Sequence, residues 1–198
     1  MKYIILFISY ILQCYATKTL SYSNILKQTI ILNNNVPCLY YNETNLNTHT
    51  TFSMEHILPR CFLHKCHYHD MHNIVKTLKK INIQRSNYKF VNDKINYDNW
   101  KEIQYHNFVN HKNGLFIPNE SSRGIISRSL LYMAYEYDYN LSKIIDKDTL
   151  IDWYYKHPPC HKEIYHNKII NDIQKKDNIF VSKYNKKTKH IANFLDKI

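Results

Sequence analysis

The chain has 198 residues, enough for one domain with a full hydrophobic core. Its 27 Lys and Arg against 16 Asp and Glu give a formal net charge of +11. This excess favours a polyanionic partner (nucleic acid, an anionic membrane or an acidic glycan) without choosing among them. With only two glycines, the chain cannot form the Gly-rich phosphate loops of P-loop or dinucleotide-binding folds.

The amino-terminal segment has the three-part layout of a secretory signal peptide. A lysine precedes an uncharged run, Tyr3–Leu12, and the small residue Ala16 follows where a signal peptidase would cut. About ten apolar residues are too few to span a bilayer, which needs roughly 20. We therefore expect residues 1–16 to be removed and residues 17–198 to form one domain. Its basic tail from about 183 is expected to be exposed or to form a frayed last helix. The mature protein is expected to be secreted or periplasmic, to have no membrane span and to be a monomer.

Removing the signal removes Cys14 and leaves four of the five cysteines. An even number in an exported chain predicts disulfides, and four cysteines allow three pairings. We expect Cys61 and Cys66 to close a small loop and Cys38 to pair with Cys160. Three N-x-S/T sequons would accept glycans in a eukaryotic host: Asn42, Asn119 and Asn140.

The first half of the mature chain predicts one helix, two strands and a second helix. Apolar spacing in residues 17–35 predicts a short helix, followed by extended segments and loops. Phe52–Pro59 and Tyr68–Val75 are predicted to be short strands. The hydroxyl of Thr77 is predicted to cap a helix that runs to about Asn87.

The second half of the chain reads as helical. Three helices are predicted: Arg123–Tyr137, Asp148–Lys156 and His161–Lys175. The expected buried face of the third consists of four isoleucines: Ile164, Ile169, Ile170 and Ile173. The fold is thus predicted to be α+β, with the chemistry on a small β-β-α unit and additional helices in the carboxyl-terminal part.

Glu55 and His56 are the central candidates for catalysis. A carboxylate is a hard oxygen ligand suited to Mg²⁺, and a neutral imidazole is a base near physiological pH. Because neighbours in a regular strand point to opposite faces, we expect this pair at a strand end or bulge, and Pro59 supports an early end. Asn82 and Arg85 stand at i and i+3 on one helix face and offer an amide oxygen as second ligand and a nearby guanidinium.

A competing cluster of possible zinc ligands lies between these segments: His64, Cys66, His67, His69 and His72. Zinc sites need about four ligands at suitable spacing, and these spacings are tight and irregular. We interpret His72 as a buried, hydrogen-bonding residue that supports a strand. A zinc-stabilised exported module is the alternative hypothesis.

Five segments occur in an order that carries a resemblance: Met54-Glu55-His56-Ile57-Leu58-Pro59; Asp70-Met71-His72-Asn73; Ile81 to Tyr88; Arg123 to Arg128 with Tyr132-Met133; and the spaced Trp153, Pro158, Glu163, Asn167, Ile170 and Gln174. Together they resemble the endonuclease I family of periplasmic and secreted nucleases, over about residues 52–181. The resemblance implies a ββα-metal (His-Me finger) nuclease core with additional carboxyl-terminal helices.

The resemblance also implies roles for three residues. His56 would be the general base, and Glu55 and Asn82 would be direct ligands of one Mg²⁺, with Mn²⁺ or Ca²⁺ as substitutes. The implied reaction is cleavage of DNA, and often RNA, to 5′-phosphate ends with little regard to sequence, through contacts to backbone phosphates. A catalytically inactive, secreted nucleic-acid-binding protein on the same fold is the alternative.

The chain departs from the family pattern at two places near these residues. The segment between the first two motifs is shortened, and Arg60 is the only arginine left in it, so the family's phosphate-assisting role falls to Arg60. Lys65 and Arg128 are substitutes for that role. The family's usual glycine after the ligand asparagine is Ile83 here.

Overall fold

The computed structural model describes residues 24–41, 51–93, 98–184 and 189–198. The predicted signal segment, Cys14 and the sequon at Asn42 lie outside these ranges. The described residues form an α+β fold with two small sheets, as predicted. None of the described helices is both long enough and apolar enough to cross a bilayer.

The first sheet has three strands in the order β1-β3-β2. These strands are β1 (Cys38–Leu39), β2 (Phe52–His56) and β3 (Ile74–Leu78). Strand β3 is central, antiparallel to β2 and parallel to β1, and all five of its residues are buried. Helix α1 (Lys79–Arg85) follows β3 directly, so β2, β3 and α1 form the predicted β-β-α unit.

A second sheet, in the order β4-β7-β6-β5, is absent from the sequence-based prediction. Its strands are β4 (Lys89–Phe90), β5 (Lys101–Glu102), β6 (Phe108–Asn110) and β7 (Leu115–Ile117). Strands of two or three residues are too short to show an alternating apolar pattern, which explains why they were missed.

Five helices follow the second sheet among the described residues: α2 (Glu120–Tyr137), α3 (Lys147–Lys156), α4 (His161–Gln174), α5 (Ile179–Ser182) and α6 (Lys189–Lys197). The first three agree with the predicted helices to within one turn. Before β1, a π-helical segment (Lys27–Ile31) lies inside the range where a short helix was expected.

The second predicted strand begins later than expected. Tyr68–Val75 was predicted as a strand, but the chain becomes extended only at Ile74. The reason is local, because the Asp70 side chain accepts a hydrogen bond from the backbone N–H of His72 at 2.9 Å. This bond begins a 3-10 turn, Met71–Asn73, in place of a strand.

Thr77 does not cap a helix, contrary to the prediction. It is buried in β3, and its hydroxyl donates to the Leu39 carbonyl of the neighbouring strand at 3.0 Å. Leu78 takes the position before the helix, which begins at Lys79. The hydroxyl is therefore used to join two strands.

The buried face of α4 is more polar than predicted. Ile164 and Ile173 are 48% and 36% exposed, and of the four isoleucines only Ile170 is fully buried. The face of α4 that carries Glu163 points inward, because the Glu163 carboxylate accepts two hydrogen bonds, of 2.7 and 2.6 Å, from the buried Arg128 guanidinium. The buried residues of α4 are Glu163, His166, Asn167 and Ile170.

The carboxyl-terminal segment contains a helix that packs on the core, α6. Helix α6 buries Ile191 and Leu195 in the main hydrophobic core. Phe194 of the same helix packs against Tyr135 and Phe180. The apolar spacing of i, i+3 and i+4 gives this short helix a core-facing side. Of the two forms expected from Lys183 onward, an exposed tail or a last helix, Lys189–Lys197 adopts the helix.

Burial of His166 makes stability depend on pH. Burial is the main reason why its pKa falls from 6.5 to about 3, and its Nε2 has no hydrogen-bond partner. The unfolded chain binds the proton first, so stability is lost as pH falls from 6.5 towards 3, at up to about 1.4 kcal/mol per pH unit. We predict a shallower loss for His166→Leu, measured by urea unfolding from pH 7 to 4.

His161→Leu is the matched control, because His161 is an exposed histidine on the same helix. The unfolding free energy of His161→Leu should depend on pH as that of the wild type does. An unchanged slope in His166→Leu would show that this buried ring does not carry the effect.

Candidate active site on the β-β-α unit

The Glu55–His56 pair lies at the end of β2, as the sequence predicts. Beyond His56, the backbone N–H of Ile57 donates to the Asn73 carbonyl at 3.0 Å. The Asn73 side chain then accepts from Leu58 N–H at 2.8 Å and donates to the Leu58 carbonyl at 3.0 Å. The motif that contains Asn73 therefore fixes the backbone that leaves the pair.

The His56 ring is oriented so that one nitrogen can act as a base. Its Nε2 lies 2.9 Å from the Tyr68 carbonyl oxygen, which can only accept a hydrogen bond. The hydrogen is therefore on Nε2, and the lone pair of the neutral ring is on Nδ1. Burial lowers the pKa of His56, and the positive charges of Arg60 and Arg85 act in the same direction. The neutral form is thus favoured near pH 7.

The Glu55 carboxylate is buried beneath helix α1. Its Oε1 accepts a hydrogen bond from the Tyr40 hydroxyl at 3.3 Å and lies 3.2 Å from Nη1 of Arg85. Burial raises the pKa of Glu55 to about 7, although Arg85 and Tyr40 favour the charged form. A cation at Oε2 would lower that pKa by stabilising the charged carboxylate.

Asn82 presents its amide oxygen beside the same strand. Its Nδ2 donates to the Ser53 hydroxyl at 3.0 Å and to the Met54 carbonyl at 3.1 Å. Because the amide nitrogen is used on β2, Oδ1 is the atom left to bind a ligand. Met54 immediately precedes Glu55, so α1 brings Asn82 to the end of β2 that carries the carboxylate.

Arg85 joins α1 to the end of β2. Its side chain is 1% exposed, and Nη2 donates to the Ile57 carbonyl at 2.7 Å. Nη1 donates to the carbonyls of His56 at 3.4 Å and Ser86 at 3.1 Å, beside the Glu55 carboxylate. The sequence predicts a guanidinium near the metal ligands, and the structure places it inside the protein, where it fixes their positions.

The donor set suits a hard divalent cation. One carboxylate and one amide oxygen leave most positions of a Mg²⁺ octahedron to water and phosphate oxygens. The buried Glu55 carboxylate, whose pKa burial raises, is a group that such a cation would stabilise. In the described part of the chain, no three His, Cys, Asp or Glu side chains converge on a possible metal position. The two oxygen donors of Glu55 and Asn82 therefore fit a hard cation such as Mg²⁺.

Two histidines of the alternative zinc cluster, His67 and His72, have hydrogen-bond partners outside it. His67 Nδ1 lies 2.8 Å from the Tyr139 hydroxyl, and its ring stacks on Tyr137. His72 is buried, and its Nε2 donates to the Lys176 carbonyl at 2.9 Å. The interpretation of His72 as a buried, hydrogen-bonding residue is confirmed.

The predicted disulfides are absent from the described residues, since neither Cys61–Cys66 nor Cys38–Cys160 is bonded there. The Sγ of Cys61 accepts from the Asn87 amide at 3.6 Å, and that of Cys66 lies 2.9 Å from Nδ1 of His64. The two cysteines expected to pair thus contact different neighbours.

Arg60 is the arginine that faces solvent in the segment between β2 and β3. It begins a 3-10 turn, Arg60–Phe62, and its Cζ lies 4.5 Å from the centre of the Tyr68 ring. Its positive charge lowers the pKa of His56, and the Tyr68 residue that it contacts also accepts the hydrogen bond from His56. Arg128, a substitute considered for its role, is buried against Glu163 and cannot reach a substrate.

Two tyrosines that support the site were not among the residues predicted from the sequence. Tyr40 contacts the Glu55 carboxylate, and Tyr68 contacts both His56 and Arg60. In a chain with 18 tyrosines, neither carries a spacing signal that would single it out.

A buried carboxylate, a neutral histidine and an amide oxygen on a β-β-α unit define the class of ββα-metal nucleases. The Endonuclease I family model matches residues 7–185, and the chain belongs to this family. It is similar to Endonuclease-1 of Buchnera aphidicola subsp. Baizongia pistaciae (strain Bp), with 27% identity over 176 residues that cover 79% of this chain and 71% of the relative. The family resemblance is confirmed, and membership supports nuclease activity in a generally metal-dependent family.

Arg85→Lys tests whether the guanidinium assembles the site. Lysine keeps the charge but cannot reach the carboxylate and the backbone carbonyls together. We predict a loss of about 2 kcal/mol in unfolding free energy and a large loss of nuclease activity, measured well below the unfolding midpoint.

Arg128→Lys is the matched control, because it alters the other fully buried arginine of the described residues, which is paired with Glu163. It should cost similar stability and keep nuclease activity. Equal activity in the two variants would contradict the role of Arg85.

Proposed function

We propose that the protein is a secreted, Mg²⁺-dependent endonuclease that hydrolyses phosphodiester bonds of DNA, and also of RNA, without sequence specificity. Its products would carry 5′-phosphates. The observation that carries this proposal is the orientation of His56. Its Nε2–H is committed to the Tyr68 carbonyl, so Nδ1 is left as a base on the same short unit as Glu55 and Asn82.

His56 acts as the general base. Burial keeps its ring neutral near pH 7, and Nδ1 takes a proton from the water that attacks phosphorus. The imidazolium that forms is stabilised because Nε2–H already donates to the Tyr68 carbonyl. General base catalysis of this kind contributes roughly 10²–10⁴-fold to the rate.

Glu55 and Asn82 would hold the metal through Oε2 and Oδ1. Arg85 and Tyr40 occupy the other carboxylate oxygen, and β2 occupies the amide nitrogen, so both ligands are fixed before the metal binds. When bound, Mg²⁺ supplies positive charge against the negative charge that builds on the phosphate. Arg60 adds a guanidinium that donates to a phosphate oxygen.

The surface charge suits binding without sequence readout. The formal net charge is +11, and Lys65, Lys79 and Lys80 are exposed on the segments that carry the site. Contacts between lysines and phosphates provide affinity that depends on salt and carry no base information.

Export and the monomeric state are part of the proposal. Export rests on the sequence of residues 1–16, with an uncharged core followed by a small residue at position 16. Amino-terminal sequencing of the protein recovered outside the cytoplasm should begin at Thr17.

Plasmid nicking by the chain from Thr17 onward tests the function, with Mg²⁺ or EDTA, beside His56→Ala. We predict metal-dependent nicking by the wild type and a loss of at least ~10²-fold in the variant. His111→Ala is the matched control, because His111 is exposed and contacts Tyr88, and it should cut like the wild type. If no protein cuts but all bind DNA in a salt-dependent way, the chain is instead a non-catalytic binder.

A further inference from the structure

Tyr68 contacts two groups that the proposed reaction needs. It follows a 3-10 turn, Lys65–His67, in the segment that joins β2 to β3. Its backbone carbonyl accepts the hydrogen bond from Nε2 of His56 at 2.9 Å. Its ring lies beneath the guanidinium of Arg60, with 4.5 Å between Cζ and the ring centre. Tyr68 thus contacts both His56, the proposed base, and Arg60.

We propose that Tyr68 is a positioning residue for nucleic-acid cleavage. Its carbonyl orients the His56 ring, and its aromatic side chain directs Arg60 towards the scissile phosphate. This inference rests on the proposed function, and it adds a second function to a residue whose side chain touches no metal ligand in the contacts described above.

Arg60 needs such support because its side chain is exposed and long. An exposed arginine samples many rotamers, and fixing it in one geometry costs conformational entropy. The Tyr68 ring is only partly exposed and packs against the main hydrophobic core, so it is a fixed surface. Preorganisation on this surface lowers the entropy lost when the phosphate binds.

The cation–π contact with Tyr68 leaves Arg60 able to bind phosphate. A guanidinium that lies over a ring uses its face for the cation–π contact, and its N–H groups point outward in the plane. Those N–H groups can donate to two phosphate oxygens at once. Arg85 and Arg128 donate to carbonyl and carboxylate oxygens inside the protein, so neither can replace Arg60.

A double-mutant cycle in nuclease activity tests this proposal. The proteins are the wild type, Tyr68→Phe, Tyr68→Leu, Arg60→Ala and the double variant Arg60→Ala/Tyr68→Leu, each with Mg²⁺ and saturating plasmid. Every variant keeps the main-chain carbonyl at position 68, so the support of His56 is unchanged. The cycle therefore isolates the ring.

We predict that Tyr68→Phe keeps wild-type kcat and that Tyr68→Leu lowers kcat about tenfold with little change in KM. Tyr68→Leu should add no further loss to Arg60→Ala, because the ring acts through the arginine. Tyr155→Leu, at a half-exposed tyrosine of α3, is the matched control and should keep full activity.

Three results would overturn the proposal: wild-type kcat in Tyr68→Leu, an equal loss in Tyr68→Phe, or losses that add in the double variant. If Tyr68→Leu does not fold, Arg60→Lys replaces it. Lysine cannot stack and donate two parallel bonds, so full kcat in Arg60→Lys would also overturn the proposal. An inactive wild type contradicts the proposed function itself, whereas an active wild type that tolerates Tyr68→Leu contradicts only the role of Tyr68.

Discussion

The buried contact between Arg85 and Glu55 is the interaction on which the site depends. The two candidate metal ligands come from different elements, Glu55 from β2 and Asn82 from α1. A buried carboxylate is costly unless it is paired and hydrogen-bonded. Arg85 supplies the pair and also satisfies the carbonyls of the strand end. The same side chain therefore stabilises the buried charge and attaches the helix that carries the second ligand.

Helices from the rest of the fold support the turn that precedes β3. The Tyr132 hydroxyl of α2 donates to Asp70 at 3.1 Å, and Ser129 donates to the His72 carbonyl at 2.7 Å. From the end of α4, the Gln174 amide oxygen accepts from Met71 N–H at 2.6 Å. Helices distant in sequence thus fix the turn before β3, and this explains why motif residues extend well beyond the β-β-α unit.

Sequence reasoning identified the chemical groups better than their surroundings. Glu55, His56 and Asn82 were candidates because metal binding and base catalysis require these residue types, and the structure places all three on one β-β-α unit. Pro59 indicated where the strand ends. The main helices followed from apolar spacing. The inward polar face of α4 could not be predicted, because Glu163 is buried only through Arg128, which lies 35 residues away on another helix. The positioning of His56 by a backbone carbonyl leaves no trace in the sequence.

Two backbone constraints, at Gly124 and Ser86, also could not be predicted from the sequence. A Cβ at Gly124 would lie 2.4 Å from the His157 carbonyl oxygen, so the close approach of α2 and the end of α3 requires glycine there. Ser86, directly after α1, has a φ of +54°, a backbone conformation that residues other than glycine rarely adopt. Its backbone N–H still donates to the Asn82 carbonyl at 3.0 Å, so the strain lies at the last helical hydrogen bond, where the chain turns away from the site. Neither requirement could be read from residue spacing.

Anomalous scattering from a crystal soaked in Mn²⁺ tests the central claim most directly. The account predicts one anomalous peak about 2 Å from Oε2 of Glu55 and Oδ1 of Asn82, and no such peak in Asn82→Ala. A peak at the segment that contains His64 and Cys66, with none beside Glu55, would contradict it.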